Sequence, residues 1–211
     1  MMTLFWSSRS PYVRKVMVAA HEVGVQDRFA LVRKNVAILK PDDEVIAANP
    51  LGKIPALILE DGTSLYDSSV ICEFLDGLRP TRILFPTEPT ARLVTLRQQA
   101  TGNGLMDLMV IGRAERMRPD GSRSDAHVAA YYRKMIATLD RLELEADNLA
   151  DAPFSIGPLA IGCGLSYADF RSADIGLAES GWRSARPKLA RWHESFRARA
   201  SVKATEHSDV Y

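Results

Sequence analysis

Strand patterns are confined to the first 78 residues of this 211-residue chain, where they alternate with helix patterns. The short apolar run at residues 3–6 predicts a buried strand, and residues 28–33 predict a second one. A helix is predicted between them, because Ser10 is a typical N-cap, Pro11 suits the first helical position and Gly24 suits the position after the last turn. The chain is therefore predicted to begin with a strand, a helix and a strand.

The remainder of the first 78 residues continues this alternation with shorter elements. Residues 41–48 predict a short helix. An Asp-Gly pair between residues 54–60 and residues 63–66 predicts a hairpin of two strands, and an amphipathic helix is predicted from Asp67 onward. The predicted order is βαβαββα, which is an α/β fold with a mixed sheet.

Prolines mark a change of pattern after residue 78. Pro80, Pro86 and Pro89 interrupt any helix across residues 79–88, which we therefore predict to be a linker. Beyond it only helical spacings occur, at residues 88–118, 124–150, 166–180 and 187–200. We predict an α/β domain over residues 1–78 and an all-helical domain over residues 89–211.

One of these helices has a specific predicted start. Ser166 precedes Asp169 by three positions, and an apolar run follows, which is typical of a capping box. Leu165 and Phe170 are placed to form a hydrophobic staple around it. We therefore predict a helix amino terminus at Ser166, with a role in folding.

The charges of the chain are balanced, with 27 Lys and Arg against 26 Asp and Glu. This balance disfavours a polybasic surface for nucleic acid and an acidic tail. No apolar stretch approaches the ~20 residues of a membrane helix, and the amino terminus has no features of an export signal. We expect a cytoplasmic protein with neither nucleic acid nor membrane as its partner.

The cysteines and histidines are dispersed along the chain. Cys72 and Cys163 lack the paired spacing of metal sites and redox motifs, so buried and unreactive thiols are expected. The four histidines are equally scattered. No metal site is predicted.

Two helix starts carry candidate binding chemistry. The Ser10 hydroxyl stands just past a strand, where free N–H groups and the helix dipole favour a negative charge such as an anionic sulfur. At the second start, Ser68 suits a carboxylate and Asp67 suits an ammonium group, which together form the head group of an amino acid. In both places simple N-capping is the alternative interpretation.

A third candidate lies where Ile54 precedes Pro55 in the run NPLGKIPAL. If that peptide bond is cis, the N–H and C=O groups of Ile54 face outward and can pair with an extended peptide. Only about 5–6% of X–Pro bonds in folded proteins are cis. A simple turn before a strand is therefore the alternative.

The segments SPYVRKV, NPLGKIPAL and YDSSVICEFL resemble, in order and spacing, the amino-terminal domain of the cytosolic glutathione transferases. LSYADF resembles the capping-box motif of the same family. The resemblance covers essentially the whole chain and is strongest before residue 78, where the serine at position 10 is similar to that of zeta-like members and replaces the cysteine of omega-like relatives. It implies a thioredoxin-like domain followed by a helical bundle, a homodimer, and glutathione as cosubstrate without a metal.

The resemblance also implies roles for the candidate residues. Ser10 would donate a hydrogen bond to the glutathione sulfur and lower the pKa of its thiol. Ile54 would bond the cysteinyl backbone beside a cis Pro55. Asp67 and Ser68 would hold the γ-glutamyl end.

Two assignments stay open. Ser7 and Ser8 are alternative donors to the sulfur. Lys40 and Lys53 are both candidates for the partner of the glycyl carboxylate.

The chain departs from the family at several positions. Residue 10 is not cysteine, which disfavours reductase chemistry through a mixed disulfide. Asp67 is one methylene shorter than the Glu or Gln that is more usual there, which predicts a weaker hold on glutathione. No tyrosine lies in or directly after the first strand, and Tyr12 is expected to pack or to line the site.

The electrophilic substrate is expected between the two domains, against the helix that follows the linker. Met106, Met109, Val110, Arg113 and Arg116 recur there at helical spacing, and flexible methionines suit an apolar pocket. Plain core packing is the alternative for the methionines. The arginines indicate an anionic acceptor.

Gly102 and Gly104 lie in the same helix. Each costs about 1 kcal/mol relative to alanine in a helix interior. They indicate close backbone packing or a local break, at a dimer contact or at the floor of the pocket.

The predicted activity is that of a glutathione transferase, typical of detoxification. The glutathione thiolate, activated by Ser10, would add to a small electrophile or displace a group from it. Two alternatives stay open: a non-catalytic scaffold that binds glutathione or carries ligands, and a zeta-like isomerase of a maleyl keto acid. The sequence does not name the electrophile.

Overall fold

The computed structural model describes residues 1–37, 40–119 and 121–210. The strands are β1 (Met2–Trp6), β2 (Phe29–Arg33), β3 (Ala56–Ile58) and β4 (Ser64–Leu65). The helices are α1 (Pro11–Val23), α2 (Asp43–Ala48), α3 (Ser68–Gly77), α4 (Pro89–Arg116), α5 (Asp125–Asp151), α6 (Ile156–Phe170), α7 (Pro187–Arg197) and α8 (Ala200–Lys203). This order confirms the predicted βαβαββα pattern and its helical continuation.

The four strands form one mixed sheet in the order β2-β1-β3-β4. β1 pairs in parallel with β2, whereas β3 is antiparallel to both β1 and β4. Because two reversals restore the direction, β4 runs parallel to β1. The carboxyl ends of β1 and β4 and the amino end of β3 therefore lie at the same end of the sheet.

The helix α1 has the start and the end that its sequence predicts. The Ser10 hydroxyl accepts a hydrogen bond from the Val13 N–H group at 3.2 Å, and Pro11 is the first helical residue. Gly24 ends the helix in the left-handed region, at a φ of 75°, which a glycine adopts without a steric penalty. The local sequence therefore predicts where this helix begins and where it ends.

The other helices of the first 78 residues pack on the sheet and on each other. α1 packs beside α3, where Lys15 Nζ donates to Ser69 Oγ at 3.4 Å. α2 contributes Val45 and Ala48 to an apolar cluster with Phe5 of β1 and neighbouring sheet residues. These contacts hold the starts of α1 and α3 in fixed places.

A buried carboxylate organises the segment that was predicted as a linker. Asp76, near the end of α3, is fully buried and accepts hydrogen bonds from the N–H groups of Ile83, Leu84 and Phe85 at 2.9–3.0 Å. Leu84 and Phe85 are buried themselves. Residues 79–88 thus lack helix and strand but are held at a defined position.

Contacts divide the chain into two groups of residues that pack mainly within themselves. The amino-terminal unit comprises Met1–Thr95 and the residues from Ala200 onward, and the helical unit comprises Leu96–Arg199. α8 belongs to the first unit because the Arg14 guanidinium donates to the Val202 carbonyl at 3.2 Å. The limits 1–78, 79–88 and 89–211 stay a prediction about domains, since compactness is not the same property as independent folding.

The predicted helix start at Ser166 is wrong. α6 begins at Ile156, after the N-cap residue Ser155, and ends at Phe170, so Ser166 lies inside it. Its side chain is buried, with its hydroxyl 2.9 Å from Nε2 of His193. The helix was missed because every residue from Ile156 to Ala168 is buried, which removes the amphipathic pattern by which surface helices are predicted.

Gly102 and Gly104 lie in different surroundings within α4. A Cβ at Gly102 would lie 2.4 Å from the carbonyl carbon of Ala160 in α6, whereas a Cβ at Gly104 would meet no atom within 4 Å. Gly102 therefore marks a close approach of two helix backbones. α4 runs through both positions without a break.

The remaining predictions concern sites and membrane segments. Cys72 and Cys163 are buried, as predicted. Among residues 1–37, 40–119 and 121–210, none of the helices combines the length and the apolarity needed to cross a bilayer. The same residues contain no group of three or more His, Cys, Asp or Glu side chains arranged to hold a metal ion.

Candidate functional site

The three candidate segments meet at one end of the sheet. Ser10 follows β1, the Ile54–Pro55 pair precedes β3, and Asp67 follows β4. The strand register places Phe5 opposite Ala56 and Leu57 opposite Leu65. Positions that are distant in the sequence are therefore brought to neighbouring strand ends, as a binding site requires.

Ser10 presents a polarised hydroxyl in front of α1. Its oxygen accepts the Val13 N–H bond described above, and its own N–H donates to the Ser7 carbonyl at 3.2 Å. A hydroxyl that accepts a hydrogen bond retains its proton for donation, and the half-buried side chain is accessible. Capping and donation to an anion are therefore compatible at this residue.

The neighbouring serines have other partners. The Ser8 hydroxyl donates to the Ser208 carbonyl at 2.8 Å, which commits its proton. Ser7 is buried, and its oxygen accepts the Arg9 N–H at 3.4 Å. Of the three serines, Ser10 is the best placed to donate to a bound group.

The loop before β3 is shaped by a side chain that the sequence analysis did not single out. Asn49 is 1% exposed, donates from Nδ2 to the Lys53 carbonyl at 2.8 Å and accepts the Leu51 N–H at 3.1 Å. The Ile54–Pro55 bond that follows is cis. The signal for Asn49 was its place at the head of a turn, where an Asn side chain commonly bonds to the backbone two residues on.

The start of α3 combines an exposed and a buried polar residue. Asp67 is exposed and caps the helix by accepting the Ser69 N–H at 2.8 Å, while Ser68 is only 1% exposed. The Tyr66–Asp67 bond is also cis. The second carboxylate oxygen of Asp67 and the first N–H groups of the helix offer complementary groups for an ammonium and a carboxylate.

Three further candidates are Tyr12, Lys40 and Lys53. Tyr12 is half-buried at the second position of α1, and Lys40 and Lys53 are exposed. A role for either lysine at a glycyl carboxylate stays a prediction. The role of Tyr12 stays a prediction too.

The predicted pocket residues belong to the helical unit. Met106 and Met109 are fully buried, whereas Val110 is half-buried. A Cβ on Gly164 of α6 would lie 3.7 Å from Met106 Cγ, so this methionine packs beside α6. Their burial agrees with the core interpretation, and their part in a pocket stays a prediction.

Three arginines of the helical unit surround one aspartate. Asp174 forms ion pairs with Arg113 at 2.7 Å and Arg171 at 3.6 Å, and its carbonyl accepts from Arg116 at 3.1 Å. Burial raises the pKa of Tyr167, against the opposing effect of the nearby Arg171 and Arg113 charges. The three arginines outnumber Asp174, so this cluster carries a net positive charge. The Tyr167 phenol stays protonated at neutral pH.

Ser166, His193 and Asp169 also meet in the helical unit, with Asp169 Oδ2 at 3.8 Å from Nδ1 of His193. The hydrogen bond between His193 and Ser166 runs in the wrong direction for a nucleophilic serine. Arg183 Nη2 lies 2.8 Å from Nδ1 of His193, and a guanidinium has only donors, so Nδ1 accepts. The proton of the neutral ring is then on Nε2 and is donated to the Ser166 oxygen at 2.9 Å. A nucleophilic serine needs a histidine that accepts its proton, so this group is structural.

Comparison with known proteins finds relatives that are described as members of the same family. Residues 9–78 match the family described as glutathione S-transferase, N-terminal domain. An Escherichia coli K12 protein described as the uncharacterized GST-like protein YibF is 30% identical over 207 residues, which are 97% of this chain and 98% of that protein.

Solved structures of similar proteins cover nearly the whole chain. A glutathione transferase family member from Pseudomonas fluorescens Pf-5 with bound glutathione is 37% identical, with a TM-score of 0.92, over 99% of this chain and 100% of that one. Another structure of a family member from that strain holds S-(propanoic acid)-glutathione; it is 36% identical, with a TM-score of 0.88, at the same coverage. These likenesses confirm the predicted fold class, a thioredoxin-like first part followed by a helical part.

Proposed function

The chain belongs to the glutathione S-transferase family, and we propose that it transfers the thiolate of glutathione to a small electrophile, with Ser10 activating the thiol. The observation that carries this proposal is the meeting of Ser10, Ile54 and Asp67 at one end of the sheet. The bound glutathione in the Pseudomonas fluorescens relative supports the choice of cosubstrate.

Each segment has a distinct proposed contact with the tripeptide. Asp67 and Ser68 bind the ammonium and carboxylate of the γ-glutamyl end at the start of α3. Ile54 pairs with the cysteinyl backbone as an added strand would. This places the sulfur in front of α1, beside the Ser10 hydroxyl.

Activation follows from the two groups that face the sulfur. A free thiol has a pKa of about 8.5, and a hydrogen bond from Ser10 together with the positive end of the α1 dipole favours the thiolate. The thiol proton leaves to solvent. The sulfur then forms a bond to the electrophilic carbon, and either a leaving group departs with its electron pair or a proton adds to the neighbouring carbon.

We further propose that the acceptor carries a carboxylate. The excess positive charge around Arg113, Arg116 and Arg171 suits an anionic substrate. A related protein binds S-(propanoic acid)-glutathione, in which a carboxylate lies close to the sulfur. The acceleration over the uncatalysed reaction should therefore be greater for an α,β-unsaturated carboxylate than for its amide, and Arg113→Gln should reduce that difference several-fold.

The test compares two serine caps. Ser10→Ala should lower kcat/KM for a chloronitrobenzene electrophile by about 100-fold, the effect of removing one donor to a developing anion. Ser124→Ala is the matched control, because Ser124 caps α5 with the same type of bond, to the His127 N–H at 3.3 Å. Equal activity of wild type and Ser10→Ala would remove Ser10 from the mechanism.

Calorimetry with glutathione, combined with activity assays, separates the alternatives. Binding without conversion of any electrophile would favour a glutathione-binding or ligand-carrying scaffold. Turnover of a maleyl keto acid would favour the isomerase. Absence of binding would contradict every one of these functions.

A further inference from the structure

Residues 204–210, which we call the strap, run beside α1 toward the turn that leads into Ser10. The helix before the strap, α8, is held on α1 by the bond from Arg14 to the Val202 carbonyl and by a hydrogen bond from the Ser201 hydroxyl to the Glu22 carboxylate. Glu22 is near the end of α1 and Arg14 is near its start, so the chain that leads into the strap runs toward the beginning of the helix.

The strap bonds to two consecutive residues of the turn. The Ser8 carbonyl accepts from Nδ1 of His207 at 3.0 Å and from the Ser208 N–H at 3.4 Å. The Ser8 hydroxyl in turn donates to the Ser208 carbonyl at 2.8 Å. Arg9 donates to the Asp209 carbonyl at 3.1 Å and forms an ion pair with the Asp209 carboxylate at 3.0 Å.

These two residues are the centre of a turn that ends at Ser10. The Ser10 N–H donates to the Ser7 carbonyl, which closes a four-residue turn around Ser8 and Arg9. The strap therefore holds both central residues. The backbone direction with which Ser10 enters α1 depends on this turn, and so does the direction of its hydroxyl.

We propose that the strap positions the Ser10 hydroxyl against the glutathione sulfur, with Asp209 as a positioning residue that acts through Arg9. The inference rests on the proposed function, because it assigns Ser10 to the thiol. The strap touches the turn, whereas the γ-glutamyl end is assigned to α3. Loss of the strap should therefore weaken activation of the thiol and leave the affinity for glutathione nearly unchanged.

The first test removes residues 206–211 from the full chain. We expect kcat/KM for the electrophile to fall about tenfold, since a small misplacement of a catalytic group is costly. The pH profile of kcat/KM should shift upward, because the thiol pKa is lowered less. The dissociation constant of glutathione should change less than about twofold, and the thermal midpoint less than about 2 °C.

The second test reverses one charge and then restores the pair. Asp209→Arg should lower kcat/KM about threefold by repelling Arg9, and the double variant Arg9→Asp with Asp209→Arg should recover most of that loss. Glu206→Arg is the matched control: it makes the same change of charge in the exposed part of the strap, three residues away. We expect it to behave as the wild type.

A third measurement does not depend on activity. Hydrogen exchange of the Ser10 amide reports the turn directly, and we expect it to quicken in the truncated protein. Unchanged exchange together with an unchanged pH profile would overturn the inference. A wild type that binds no glutathione would instead overturn the proposed function and the catalytic part of this inference, while exchange would still decide whether the strap orders the turn.

Discussion

The polar side chains that cap helices near the candidate site and the buried Ser166 of the helical unit have partners at very different distances along the sequence. In the amino-terminal unit, Ser10 and Asp67 bond to N–H groups two or three residues further on, at the starts of helices. In the helical unit, Ser166 bonds to His193, 27 residues away, inside packed helices. A bond within one helix start leaves the outer side of that start accessible to a ligand. A bond between two packed helices instead holds the helices together and leaves no room for a ligand between them. The first arrangement suits binding and the second suits rigidity.

The largest expected effect tests the rigidity of the helical unit. Gly102→Ala should lower the free energy of unfolding by about 3 kcal/mol, because the new Cβ would meet the Ala160 backbone, which cannot move without its helix. Gly104→Ala should instead stabilise the protein by about 0.5–1 kcal/mol, since the space there is open. Urea denaturation of both variants measures the difference. Equal stabilities would contradict the close packing of α4 and α6.

The next effect tests whether burial decides how much a carboxylate of the amino-terminal unit contributes to stability through its bonds to backbone N–H groups. Asp76→Asn should cost about 2–3 kcal/mol, because the amide that replaces the buried carboxylate accepts fewer of the three N–H bonds. Asp61→Asn is the comparison, since Asp61 is exposed and also accepts a bond from a backbone N–H group, that of Thr63. A similar cost for both would show that burial does not decide the strength of these bonds.

A smaller effect tests the bond between distant helices itself. Ser166→Ala should lower the free energy of unfolding by about 1–2 kcal/mol, by leaving the Nε2–H group of His193 without its acceptor. The activity of the folded protein should not change, unlike in Ser10→Ala. Nitrogen NMR of His193 in the wild type should show the proton on Nε2. A proton on Nδ1 would reverse the donor order that excludes a nucleophilic serine.

The smallest effect concerns an ion pair of the helical unit and its pH dependence. Bonds from Arg97 at 3.0 Å and from Arg141 lower the pKa of Glu145, against the opposing effect of burial. A lowered folded-state pKa gives stability that is present at neutral pH and is lost as the pH falls through that pKa.

Glu145→Gln should therefore cost about 1 kcal/mol at neutral pH, and its difference from wild type should shrink as the pH falls below the ordinary glutamate pKa of about 4.3. Denaturation at several pH values measures this. Glu179→Gln, at an exposed position, is the control. A difference that does not change with pH would show that the Glu145 charge does not contribute to stability.

The sequence predicted the elements whose signals lie within a few residues of each other. Ser10, Pro11 and Gly24 predicted both ends of α1, because a cap acts on its own helix. The strand predicted at 54–60 is shorter in the structure, at Ala56–Ile58, since pairing with β1 and β4 decides where a strand ends. The roles of Ser10, Ile54, Asp67 and Ser68 in binding stay predictions.

Contacts between distant residues were not predictable in this way. The apparent capping box at Ser166 has a bonding partner, His193, that only the packing of α6 and α7 brings near. In the sequence, Asp76 has the pattern of an ordinary exposed acidic residue of an amphipathic helix. It is buried because residues 83–85 pass over it and donate their N–H groups to it. No pattern within the strap predicts its contacts, because its bonding partners, Ser8 and Arg9, are close to the other end of the sequence.

The separation of Arg9 and Asp209 by 200 positions also has a consequence during synthesis. At roughly 5–20 residues per second, roughly 10–40 s pass between the translation of the first residue of this pair and the second. The strands and α3 leave the ribosome well before the strap does. A nascent chain that has formed its sheet therefore still lacks the bonds that hold the Ser7–Ser10 turn, which is translated among the first segments and completed among the last.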